Sequence, residues 1–195
     1  MYLPPRLVAM TGLALVASAV LTLGGAAQTQ GSPARYTAMA VDMDNGRTST
    51  VDMVVNRWST ESERKRLLAV LAEKGPEKLL DVLQDIPRVG YFRTPQSVGW
   101  DLHYATLTPM PEGGERVVLA TDRRIPFWEA RNRPRSIDYP FTVIELRLNR
   151  DGVGEGKMSI ATKITFEKEQ NTIVLENYGT QPVLLQSVRR ERASQ

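Results

Sequence analysis

Apolar and polar positions change their spacing along the chain, and the changes divide it into stretches of different character. From Leu7 to Leu23 the residues are nearly all apolar, relieved only by small and hydroxyl side chains. The sole charge in the first 27 residues is Arg6. A basic start, an apolar middle and a small-residue end are the parts of a secretory signal. Gly25 and Ala27 stand third and first before the Ala27–Gln28 bond, so residues 1–27 read as a signal peptide cut after Ala27. The alternative is an uncleaved anchor, because the run approaches the roughly 17–25 residues that span a bilayer. Residues 28–34 are polar and contain Gly, Ser and Pro, and read as a flexible lead.

From Tyr36 the spacing becomes one of alternation. Tyr36 to Met43 leads to Asp44-Asn45-Gly46-Arg47 and then to the β-branched run Thr48 to Val55. Asn-Gly between two such runs predicts a β-hairpin, since both central residues of a type I′ turn need positive φ. At Ser59 the period shifts. Thr60 and Glu63 have capping-box spacing, and Leu67, Leu68, Val70 and Leu71 form one apolar face. Gly75 stops this helix, Pro76 suits the first turn of another, and Leu79, Leu80, Leu83 and Ile86 recur at helical spacing until Pro87. The prediction is a helical hairpin at about 60–86 with one apolar side, lying on a sheet.

Beyond Arg88 strand-like runs continue, over roughly 88–94, 98–107, 115–122, 139–148, 157–166, 172–178 and 183–189, separated by Gly, Pro, Asn and Asp turns. Residues 35–195 are therefore expected to form a single domain of mainly β (α+β) class. Its strands, about nine, form an antiparallel meander closing as a barrel or sandwich. On alternation, Met158, Ile160, Thr162, Ile164 and Phe166 share one face, and Trp100, Leu102 and Tyr104 another, opposite Asp101 and His103.

Composition narrows the class. The chain has 195 residues, so removal of a 27-residue signal leaves one ordinary domain. There is no Cys, which excludes disulfides, thiolate metal sites and cysteine nucleophiles. The formal net charge is +3 with 25 basic and 22 acidic residues, a balance that makes no case for nucleic acid. The expected location is the periplasm or outside the cell, with membrane contact only if the first segment is retained.

Candidate chemistry is sparse. Asp42-Met43-Asp44-Asn45-Gly46 departs from a calcium loop at three ligand or turn positions and reads as a turn. His103 is the only histidine, and Asp101 two residues earlier could orient it for acid–base work in a hydrolase. A lone His does not make a metal site, and no G-x-S-x-G, G-x-G-x-x-G or P-loop pattern accompanies it. No catalytic set, metal or cofactor is expected. The most unusual stretch is 122–138, where Arg123, Arg124, Arg131, Arg133 and Arg135 surround Phe127 and Trp128. Guanidinium forks bind carboxylates and phosphates bidentately, and neighbouring aromatics stack on ligands or on arginine. These seven residues are the expected ligand-binding set. The expected function is that of an exported, non-enzymatic envelope protein binding a small apolar or anionic ligand. A structural or protein-docking module of the envelope is the alternative, and a hydrolase using Asp101 and His103 a third.

Overall fold

A computed structural model of the chain describes residues 32–43, 46–123, 141–167, 172–177 and 182–191. The expected signal over 1–27, residues 28–31 of the lead and the Asp44 and Asn45 positions of the first turn lie outside them. The elements in order are β1 (Ala34–Asp42), β2 (Arg47–Val55), α1 (Glu61–Lys74), α2 (Pro76–Asp85), β3 (Gly90–Arg93) and β4 (Trp100–Leu102). They continue with β5 (Tyr104–Pro109), β6 (Glu115–Thr121), β7 (Phe141–Leu148), β8 (Val153–Glu167), β9 (Thr172–Asn177) and β10 (Val183–Glu191).

All strand pairs are antiparallel. Nine strands follow one hydrogen-bonded path, β4-β3-β2-β1-β10-β8-β7-β6-β5, and β9 pairs with the far part of β8 off this path. The two ends of the path, β4 and β5, are consecutive in sequence and separated only by His103. One bent segment therefore serves both edges, and the sheet is nearly closed into a barrel. The single strand expected over 98–107 is in fact these two. Its first half pairs with β3 and its second with β6, while the His103 N–H donates to Ala120 O at 3.0 Å between them.

The first hairpin forms as its sequence predicts. Nine residue pairs run from Asp42–Arg47 to Ala34–Val55, and Gly46 takes φ +63° in the turn. The helices also start and stop where their signals stand. The Thr60 hydroxyl accepts from Glu63 N (3.2 Å), the Glu63 carboxylate accepts from Thr60 N (2.7 Å), and Gly75 parts α1 from Pro76 at the start of α2. Such a cap is worth about 1 kcal/mol. The helical pair is an insertion into the β2–β3 hairpin, and its two necks are tied together. Asn56 N and Arg57 N donate to Val89 O, while Arg57 grips Glu63 through two 3.0 Å bonds and donates to Pro87 O.

Side chains divide between two cores. The inner one draws on every barrel strand, with Tyr36, Met53, Phe92, Leu102, Leu119, Ile144, Leu146, Leu148, Met158 and Leu185 fully buried. The second lies on the other side of the sheet. There Leu67 and Leu71 of α1, and Leu79, Leu83 and Ile86 at α2, cover Phe141 and Val143 of β7, joined by Tyr104, Val118 and Ile164. The helical pair thus covers an outer face of the sheet. Two irregularities make this possible, and both correct the expected faces. The bend at His103 sends Tyr104 to the helix side, away from Trp100 and Leu102. A register shift between Phe141 and Val143, where the Thr142 hydroxyl donates to Ile160 O (2.8 Å), puts Ile164 with the helices and leaves Met158 and Ile160 in the inner core. A one-residue bulge exchanges the two faces of a strand.

Gly154, which falls between the strands expected over 139–148 and 157–166, belongs to β8. The turn is Asn149 to Gly152, closed by the Asn149 carboxamide oxygen accepting from Asp151 N and Val153 N. A Cβ on Gly154 would lie 1.9 Å from Arg147 O, so the glycine there admits a close backbone neighbour.

Candidate functional site

The sole histidine sits where the barrel closes, and three separate elements meet around it. Its Nδ1 is 2.7 Å from Ile86 O at the end of α2, and its Nε2 is 3.8 Å from Asp122 Oδ1 just past β6. Asp122 in turn accepts from Arg123 Nε (3.3 Å), and the Thr121 hydroxyl donates to Arg123 O. The side chains of His103 and Asp122 are only 14% and 12% exposed. Asp101, by contrast, is paired with Arg88 at 3.3 Å. The carboxylate that sequence spacing offered to His103 is therefore engaged elsewhere, and the bend supplies Asp122 instead. A carbonyl only accepts, so Nδ1 carries the hydrogen toward Ile86. One ring nitrogen is thus held by the backbone, and the other faces a carboxylate oxygen from beyond hydrogen-bond reach.

Of the seven residues expected to bind a ligand, Arg123 is exposed at the root of the stretch, with its guanidinium on Asp122. Arg124, Phe127, Trp128, Arg131, Arg133 and Arg135 lie outside the described residues.

A charged cluster enters the inner core. The Tyr36 hydroxyl, on a fully buried side chain, donates to Glu115 Oε1 at 3.2 Å, and Arg190 Nη1 donates to Glu115 Oε2 at 2.7 Å. Burial, then the Glu115 charge, pushes the Tyr36 phenol well above its ordinary value, with Arg190 opposing. Tyr36 is therefore a standing hydrogen-bond donor to Glu115 rather than a proton source. Sequence reading missed this group because its members lie on three distant strands and carry no local pattern.

The outer face of β10, β1, β2 and β3 is split in character. Toward one end Arg35 bridges Asp52 (3.4 Å) and Glu191 (3.2 Å), Arg93 holds Asp52 (3.0 Å), and the Arg88 and Arg93 guanidiniums lie 5.3 and 5.8 Å from the Tyr91 ring centroid. Toward the β1–β2 turn the described face is largely apolar, with Lys157 of β8 beside Leu184 of β10. Met39 (49% exposed) and Met43 (59%) flank half-buried Val41, which pairs with Leu184 of β10, beside Thr48 and Thr50. Among the described residues no group of three or more His, Asp or Glu could hold a metal ion, and no helix is long and apolar enough to cross a membrane. No protein-family model, curated protein or solved structure matches the chain.

Proposed function

We propose that the chain is an exported envelope protein without catalytic chemistry of its own, which binds an anionic group through the arginine-rich stretch rooted at Arg123. The observation that carries this reading is the filled barrel axis. Aromatic and aliphatic side chains from every barrel strand meet there fully buried, which favours an anion met at the surface over an apolar ligand held in the lumen. The pairing of Asp101 with Arg88 takes away the carboxylate that the hydrolase reading gave His103, which supports a binding role over hydrolysis. Five arginines within 123–135, interleaved with Phe127 and Trp128, supply the fork geometry that carboxylates and phosphates accept. The apolar patch of Met39, Val41, Met43 and Leu184, edged by Lys157, favours a second reading, a module that docks another envelope protein, because methionine-rich apolar surfaces suit protein contacts.

One experiment separates these readings. The full chain is expressed with its own N-terminus, recovered from a bacterial periplasm and weighed by native and denaturing mass spectrometry. The expected result is a chain cut between Ala27 and Gln28, with a small anionic adduct that denaturation releases. Glutamine at Arg123, Arg124, Arg131, Arg133 and Arg135 together should abolish the adduct. A released polypeptide would instead establish the docking reading. Retention of the chain in the cytoplasm would overturn export, and an adduct untouched by the five substitutions would overturn the assigned residues.

A further inference from the structure

We infer that Met39 and Met43 form an oxidation site, at which a peroxide converts the apolar patch beside the β1–β2 turn into a polar one while the barrel stays folded. The inference goes beyond both readings above, since it holds whatever the chain binds. The chain contains seven methionines and no cysteine, so no thiol competes for an oxidant and thioethers are its only sulfur. Five of the methionines lie among the described residues, and the fold treats them very differently. Met53 of β2 and Met158 of β8 are fully buried in the inner core. Met110, in the turn between β5 and β6, is half-buried. Met39 is 49% exposed and Met43 59%, the first on the outward side of β1 and the second just beyond its end.

The reaction needs only access, because a thioether reacts through its sulfur lone pair and has no proton to lose. Hydrogen peroxide passes one oxygen to the sulfur: the O–O bond breaks, an S–O bond forms, the sulfur gives up two electrons, and the peroxide leaves as water. The product is a polar sulfoxide whose oxygen accepts hydrogen bonds. At the exposed pair that oxygen meets water. Met39 also stands across the strands from Thr50 and Gln186, whose hydroxyl and carboxamide groups are donors. In the inner core a sulfoxide would be an unpaired polar group among apolar neighbours, which is costly. Peroxide reaches Met53 and Met158 only when the barrel opens.

The position of the pair gives the modification its effect. Met39, Val41, Met43 and Leu184 make up the apolar patch, so oxidation turns two of its four side chains polar. The inner core is left as it was, because β1 turns Tyr36, Ala38 and Ala40 inward and Met39 and Val41 away. The change is also reversible. Two thiols of a sulfoxide reductase remove the oxygen as water and become a disulfide. Without cysteine the chain cannot supply those thiols, so the reductant is a separate thiol protein. The patch is therefore apolar under reducing conditions and polar after peroxide.

Brief exposure of the folded full chain to hydrogen peroxide, followed by digestion and peptide mass spectrometry, reads the site directly. Met39 and Met43 should gain one oxygen roughly tenfold or more faster than Met53 and Met158, with Met110 between. In denaturant the five rates should converge. The oxidised chain should leave a hydrophobic-interaction column earlier than the untreated one. Met39→Leu with Met43→Leu should keep the late elution after peroxide, and far-UV circular dichroism should be the same before and after treatment. Buried methionines oxidised as fast as the exposed pair, or either member of the pair lagging behind Met110, would overturn the site. A spread of rates that persisted in denaturant would do the same, since it could not come from the fold. No shift in retention, an equal shift in the double leucine variant, or a lost dichroism signal would overturn the conversion of the patch.

Discussion

Gly90 shows how little room single positions in this barrel leave. It opens β3 opposite Val55, and a Cβ there would stand 2.0 Å from Val54 O. Backbone cannot yield as a flexible side chain does, so Gly90→Ala should cost about 1–3 kcal/mol, read as a lower denaturant midpoint with an unchanged slope. Tyr36 sets a different limit. Its phenol is raised in the folded state, so its contribution to stability is complete below the ordinary tyrosine value of about 10 and lost as pH climbs above it. Unfolding midpoints at about pH 8 and about pH 11 should therefore differ more for the native chain than for Tyr36→Phe. An equal drop in both would show that Tyr36 ionises freely. At the acid end, burial alone would raise the Glu63 carboxyl. The bonds from Arg57 and Thr60 outweigh it and hold Glu63 below its usual range, so its contribution fades as pH falls through the carboxylate range.

At the level of elements, the helical pair depends on its apolar seam with the sheet. Leu83→Ala removes a side chain buried between α2 and β7, and losses of this kind cost about 2–5 kcal/mol. Because the second core is separate from the first, exchange in α1 and α2 should rise while barrel amides such as those of β1 and β2 hold. A uniform rise would mean that helices and barrel unfold as one unit. These elements were legible because their signals are local: Asn45-Gly46 for a turn, Thr60 with Glu63 for a cap, Gly75-Pro76 for a break. What sequence did not disclose is non-local or depends on a single residue of register. Alternation counted across residues 158–166 assigns one face throughout, and the shift opposite Thr142 transfers Ile164 to the helices. A second shift in β10, where Ser187 adopts φ +51°, returns Val188 to the inner core. The partner of His103 was misread for the same reason. Asp101 is near in sequence, but the bend separates the two, and Asp122 arrives from the end of another strand. The arginine-rich stretch was visible by composition alone, and of its expected binding set only Arg123 lies among the described residues.

Across the whole molecule, most neighbours in the sheet are neighbours in sequence, with β2–β3 interrupted by the helices and β6–β7 by a long connection. The exceptions both involve β10, which pairs with β8 across β9 and completes the second edge of β1, so that Arg35 lies beside Glu191 and Val41 beside Leu184. A chain made from its N-terminus onward thus places β1 and β2 first and waits for nearly everything else before β1 is covered. Until then the β1 edge is an open template, with Met39 and Val41 beside it, and open strand edges recruit other chains. The last strand to emerge is the one that seals the first. A chain stalled or clipped before Val183 would lack β10 and leave both the β1 edge and the β8 edge that it pairs with open for as long as it lasted.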